Sequence, residues 1–241
     1  MVEQLGGEPS RSPLSEAPRL IEVLRTASVD FYFNSWRLVP ANATWGLLLV
    51  AVILVSVTWR PAAVLLIAIA IPTAGLHRMA ARIYRGDRTS LWDFTAGMRR
   101  WAAPALGIGA GASLLVVALT ANIVTGLEAG GVVGWTLSLL ALYGEIAVAM
   151  FLVAAWPIVV DPRREHVPLR LRLRLAAIVI LARPGRMGAL TCVISAVLLG
   201  STVLLAALLT VSVAFVSLVA THYVLPMADQ LDGLPTVRRQ G

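Results

Sequence analysis

Long uncharged runs constrain this chain more than any other feature. Residues 41–59 and 102–126 carry no charged side chain, residues 132–160 carry one, Glu145, and residues 187–225 carry none. Residues 62–83 are apolar until their last turns, where Arg78 and Arg82 appear. A helix needs roughly 20 apolar residues to cross a bilayer. In lipid every backbone N–H and C=O must be satisfied within the protein, which selects helices for such runs. With 58% hydrophobic residues in 241, the expectation is an all-α polytopic transmembrane bundle of about six spans. The 187–225 run is nearly twice one span. It reads as two short spans turning near residues 204–207, or as one long tilted helix.

The flanking segments divide the rest. Residues 1–18 are polar and proline-rich and read as a disordered tail. The first long apolar run begins near Ala41, too late for a cleavable secretory signal. Residues 19–226 form one membrane domain, and 227–241 read as a polar tail. Between Arg19 and Arg37, Leu20, Leu24, Ala27 and Phe31 recur at helical spacing. That stretch fits a helix on the membrane surface or a cap packed on the bundle. Pro40 suits the first turn of the span after it. Leu169–Leu175 alternates leucine with arginine like a strand. An exposed strand edge at a bilayer is unfavourable, so a short interfacial helix through Leu181 is expected.

Charge gives orientation. The net charge is +7, and every basic residue is an arginine. The arginines cluster before the first span, between spans two and three, and between spans four and five. The positive-inside rule then puts the N-terminus in the cytoplasm. Topology explains this charge without nucleic acid, so no nucleic-acid partner is expected. Arg78, Arg82, Arg85, Arg88, Arg170, Arg172 and Arg174 would form a cytoplasmic basic face able to meet anionic lipid or a partner protein. Trp36, Trp92, Trp101 and Trp156 would mark the inner interface.

The most distinctive stretch joins spans two and three. It runs Pro72-Thr73-Ala74-Gly75, then the linker Arg85-Gly86, then Trp92-Asp93-Phe94 and Arg99-Arg100. Ser90 and Asp93 fit a capping box, which starts a helix at Leu91. On these residues the chain resembles the YesL family, small bacterial multi-span membrane proteins of unknown molecular activity. The resemblance implies a bacterial plasma-membrane protein linked to carbohydrate uptake, with an ABC-transporter permease or another membrane protein as partner.

Two function classes follow. One is a non-enzymatic accessory protein docking through its inner face. The other is a small transporter or channel with a midplane polar site at Glu145, Pro72, Thr73 and Ser113, since a carboxylate inside a span is costly and by default functional. A structural hydrogen bond from Glu145 is the alternative role for that residue. The Gly107/Gly111 pair has the small-xxx-small spacing that lets helices approach closely. His77, His166 and His222 have no metal-ligand spacing, and no nucleophile–base set stands out. No cofactor, metal or enzymatic activity is therefore expected. His77 reads as an interface residue, His222 as a helix-end residue and Cys192 as a buried packing residue.

Overall fold

The computed structural model describes residues 19–233; the expected tail at 1–18 and residues 234–241 of the expected tail at 227–241 lie outside them. The described chain is helical, without strands: α1 (Leu20–Thr58), a 3-10 segment (Arg60–Ile69), α2 (Ala70–Tyr84), α3 (Leu91–Ala129) and α4 (Gly131–Val159). After a 3-10 turn (Pro162–Arg164) come α5 (Leu169–Ala182), α6 (Pro184–Val203) and the single turn α7 (Leu205–Ala207). A π-helical turn (Leu208–Ser212) leads into α8 (Val213–Leu231). Six of the helices are long and apolar enough to cross a membrane. The chain is an integral membrane protein.

Several expectations meet the structure directly. The capping box forms: Ser90 N donates to Asp93 Oδ2 at 2.6 Å, and Asp93 also pairs with Arg82. The arginine–leucine alternation folds as α5, a helix as expected. The 187–225 run divides where α6 ends at Val203.

Others are corrected. The stretch before span one is not a separate helix. It continues through Pro40 into one helix of 39 residues, about 58 Å long at 1.5 Å per residue. A proline in mid-helix forfeits one backbone hydrogen bond. Here packing prevails, because Val23, Ala27, Asp30 and Leu38 are buried on one face of the same rod. Residues 227–231 are not tail but the last turn of α8, and Met227, Ala228 and Asp229 are buried there.

The core has an unusual centre. α8 is buried on nearly every side, against α1, α2, α4 and α5. α3 sits at the edge, packed on α2 and α4. Close approach between α2 and α3 depends on Gly75. A Cβ there would lie 2.8 Å from the Phe94 ring and 2.9 Å from the Phe94 carbonyl. The α3–α4 turn uses Gly130 and Gly131, both at φ +64°, a region that favours glycine.

Gly107 and Gly111 are corrected too. A Cβ at either would meet nothing within 4 Å. They line an open apolar groove of about 710 Å³ between α3, α4 and the start of α5. Their neighbour Gly109 makes the close approach instead: a Cβ there would lie 2.8 Å from Ala70 Cβ. The spacing was right for a small-residue stripe, but the helix turns its 109 face to α2.

These two glycine classes give a direct test. Gly75→Ala should destabilise by about 1–3 kcal/mol, the usual cost of forcing atoms into a filled contact. Gly107→Ala should be neutral or stabilising by up to about 1 kcal/mol, through helix propensity. Thermal melting of both variants in the same detergent checks the ordering.

Candidate functional site

Four side chains converge where α2, α4 and α8 end together. Arg85 closes α2, Asp161 follows α4, Arg164 sits in the next turn, and Asp229 comes from the last turns of α8. Arg85 Nη2 lies 2.6 Å from Asp161 Oδ2, and its Nη1 lies 2.6 Å from Asp229 Oδ2. Arg164 Nη1 lies 2.5 Å from Asp161 Oδ2, and its Nη2 lies 2.8 Å from Asp229 Oδ1. Cation and anion alternate around a closed ring. The two arginine side chains are 3% and 2% exposed and both aspartates are fully buried. Asp232 extends the ring at its edge, 2.9 Å from Arg164.

The ring balances two positive charges with two negative ones. Burial opposes the Arg85 charge, but the hydrogen bonds it donates to Asp229 and Asp161 outweigh it and hold its pKa above the ordinary value. Such a ring need not exceed a packed apolar core in stability. Removing one member, however, leaves a buried charge uncompensated.

A second set of arginines finishes the inner end of α4. Arg78 Nη1 donates to the Val160 carbonyl at 2.7 Å and pairs with Glu165. Glu165 also meets Arg100 at 2.5 Å. Arg172 donates to the carbonyls of Val159, Val167 and Glu165, and its guanidinium lies 4.8 Å over the Trp101 ring. The last carbonyls of a helix lack intrahelical partners and carry partial negative charge, so these arginines complete α4. Burial lowers the Arg172 pKa, with Glu165 and Asp161 opposing that shift.

Deeper in the bundle, His222 Nε2 lies 2.8 Å from Asp30 Oδ2, and Nδ1 lies 2.9 Å from the Leu218 carbonyl. A carbonyl only accepts, so Nδ1 carries a proton. His222 is thus a core residue and not a helix end. His77 is also buried, its ring stacked at 6.1 Å on Trp156. Cys192, expected inside, is exposed.

The expected midplane site does not assemble. Thr73 Oγ1 accepts from Trp45 Nε1 at 2.9 Å and donates to the Ile69 carbonyl at 2.8 Å. Glu145 accepts instead from Thr120 Oγ1 at 2.6 Å. Gly109 of α3 sits against Ala70, and Thr120 lies 11 residues farther along α3, about 16 Å. Thr73 lies on the opposite side of Ala70. Glu145 therefore stands well outward of Pro72 and Thr73. Ser113, half-buried, falls between the two levels. The depths differ because the Trp59–Arg60 turn and the Gly130–Gly131 turn reach different heights.

The basic face also divides. Arg85 and Arg172 point inward, Arg78 and Arg82 are engaged by carboxylates, and Arg88, Arg170 and Arg174 are exposed. Trp101 and Trp156, expected as interface markers, are buried. The residues that sequence reasoning missed are Asp161, Arg164, Asp229 and Asp30. One signal was available: Asp161 and Asp229 are acids placed on the side where arginines gather.

Asp229→Asn should destabilise the fold by about 3–5 kcal/mol, the usual cost of orphaning buried charge. Glu128→Gln, at the opposite end of the molecule, should stay within about 0.5 kcal/mol of the parent. Denaturation in one detergent, followed by tryptophan fluorescence, compares them.

No protein-family model, no curated protein and no solved structure matches this chain.

Proposed function

We propose that this protein is a non-enzymatic accessory component of a bacterial carbohydrate ABC transporter, docking to the permease through its cytoplasmic end. The reading starts from the YesL-like joint. Most of the residues that carry the resemblance have an internal task. Gly75 fits against Phe94, Arg85 belongs to the buried ring, and Asp93 caps α3. Arg100 pairs with Glu165.

Trp92 is the observation that carries the proposal. It is 79% exposed, although it sits among residues with defined partners. It lies seven residues before Arg99 on α3, about 10 Å toward the cytoplasm. That distance separates it from the membrane edge marked by Arg78, Arg99 and Arg100. An exposed tryptophan is the kind of side chain that dominates docking energetics once a partner covers it. The buried ring holds the platform behind it rigid, which lowers the ordering cost of binding.

Affinity capture of the tagged protein from its native membranes should bring down a carbohydrate permease. Trp92→Ala should reduce that capture by about tenfold or more while melting is unchanged. Equal capture by parent and variant would remove Trp92 from the interface. Absence of any permease, together with solute uptake by the purified protein alone in vesicles, would favour the transporter reading.

A further inference from the structure

A cleft of about 520 Å³ opens where α4 gives way to α5. Arg163, Arg164, His166 and Arg174 contribute its basic side, and Leu171, Leu175 and Ile178 contribute an apolar wall. The apolar three follow i, i+4, i+7 spacing and so form one stripe along α5. Arg164 is committed to the buried ring, and it also engages Asp232, the acid of the cleft. Arg174 is exposed and makes no ion pair among the described residues.

The cleft stands at the inner membrane boundary. Arg172, on the same helix, reaches the Val159 carbonyl at the end of α4 and covers Trp101 of α3. A phosphate and an alkyl chain are presented together at that level. We propose that this cleft binds an anionic phospholipid of the inner leaflet. The phosphate lies against His166 and Arg174, and the first methylenes of one acyl chain run along Leu171, Leu175 and Ile178. A free phosphate would use only the basic side and gain nothing from the stripe.

Native mass spectrometry of the full chain in neutral detergent tests this, titrating phosphatidylglycerol, phosphatidylcholine and inorganic phosphate separately. Phosphatidylglycerol should bind saturably and phosphatidylcholine should not. Arg174→Ala should weaken phosphatidylglycerol binding by about fivefold. Arg170→Ala removes an equal charge from α5 outside the cleft and should leave binding unchanged. Ile178→Ser should weaken binding of the lipid as well. Equal losses at Arg170 and Arg174 would reduce the effect to surface charge and overturn the site. So would inorganic phosphate binding as tightly as the lipid.

A different observation concerns the α6–α8 hairpin. Asn42 of α1 donates through Nδ2 to the Leu209 carbonyl at 2.9 Å, and its Oδ1 accepts from Ala214 N at 2.7 Å. One turn on, Gly46 lies against Leu209, where a Cβ would come within 2.6 Å. α1 then continues 12 residues to Thr58, about 18 Å, while the hairpin has already turned at 204–207. The start of α6 lies low, since Arg183 shares a small cavity with Met227 and Leu231 at the inner end of α8. The tip is wholly apolar from Val203 to Leu209, and Val203 and Leu204 are 84% and 66% exposed. Turns in water favour glycine, proline, asparagine, aspartate and serine. Irregular backbone at membrane depth survives only where protein groups satisfy it. Here Asn42 does so, and Ser212 Oγ donates to the Ala207 carbonyl at 3.0 Å.

We infer that α6 and α8 form a re-entrant hairpin, entering and leaving on the cytoplasmic side with its tip in the hydrocarbon. Single cysteines at Leu204 and Glu128, in a Cys192→Ser background, test it in oriented vesicles. A membrane-impermeant maleimide outside should label position 128 and leave 204 unlabelled. A nitroxide at 204 should be relaxed more by oxygen than by a water-soluble nickel chelate. Outside labelling of 204 at the rate of 128 would overturn the inference, as would greater relaxation by nickel.

Discussion

A carboxylate or guanidinium taken out of water needs a partner of opposite charge close by, and this chain meets that need by pairing its charges at one end. Arg85, Asp161, Arg164 and Asp229 alternate so that each charge touches two of the other sign. The ring joins the ends of α2, α4 and α8. Arg172 and Arg78 then cover the carbonyls left bare where α4 stops. Without these contacts the helix ends would carry unpaired polar groups in a low-dielectric interior, at a cost of several kcal/mol for each ion.

Packing follows the same asymmetry. α8 is the filler of the half that carries the ring, and around it lie Ala27, Leu76, Ala80, Ile158 and Val179. Outward of Gly46, α1 loses that neighbour. α3 and α4 continue beyond it as a pair, held by Gly126 against Gly134 and by Thr120 with Glu145. The molecule is a densely packed inner half from which two helix pairs project into the bilayer.

Much of this was legible in the sequence. Long uncharged runs gave the helices, because hydrocarbon leaves few alternatives for a backbone. Ser90 and Asp93 gave the start of α3, because capping is local chemistry. The strand-like alternation of α5 was rightly overruled by the cost of an open edge. The buried ring was not legible. Arg85 is 76 residues from Asp161 and 144 from Asp229, and no local pattern encodes which arginine turns inward. Gly107 and Gly111 failed for a related reason: a small-residue spacing names a stripe without saying which side meets a neighbour. Glu145 and Thr73 each lie near the middle of an apolar run yet stand at different depths, because helix register depends on where each turn lies.

The order in which the ring acquires its members bears on how the protein is made. The α3–α4 hairpin needs only contacts close in sequence, so it can form soon after its residues enter the membrane. The ring waits for Asp229, carried by the last described helix. Until that residue arrives, Arg85 and Arg164 share a single aspartate, and the inner half lacks its central helix. A nascent chain therefore stays open at the ring until Asp229 has been made. In that interval chaperones and proteases that reach this end can tell an open molecule from a closed one.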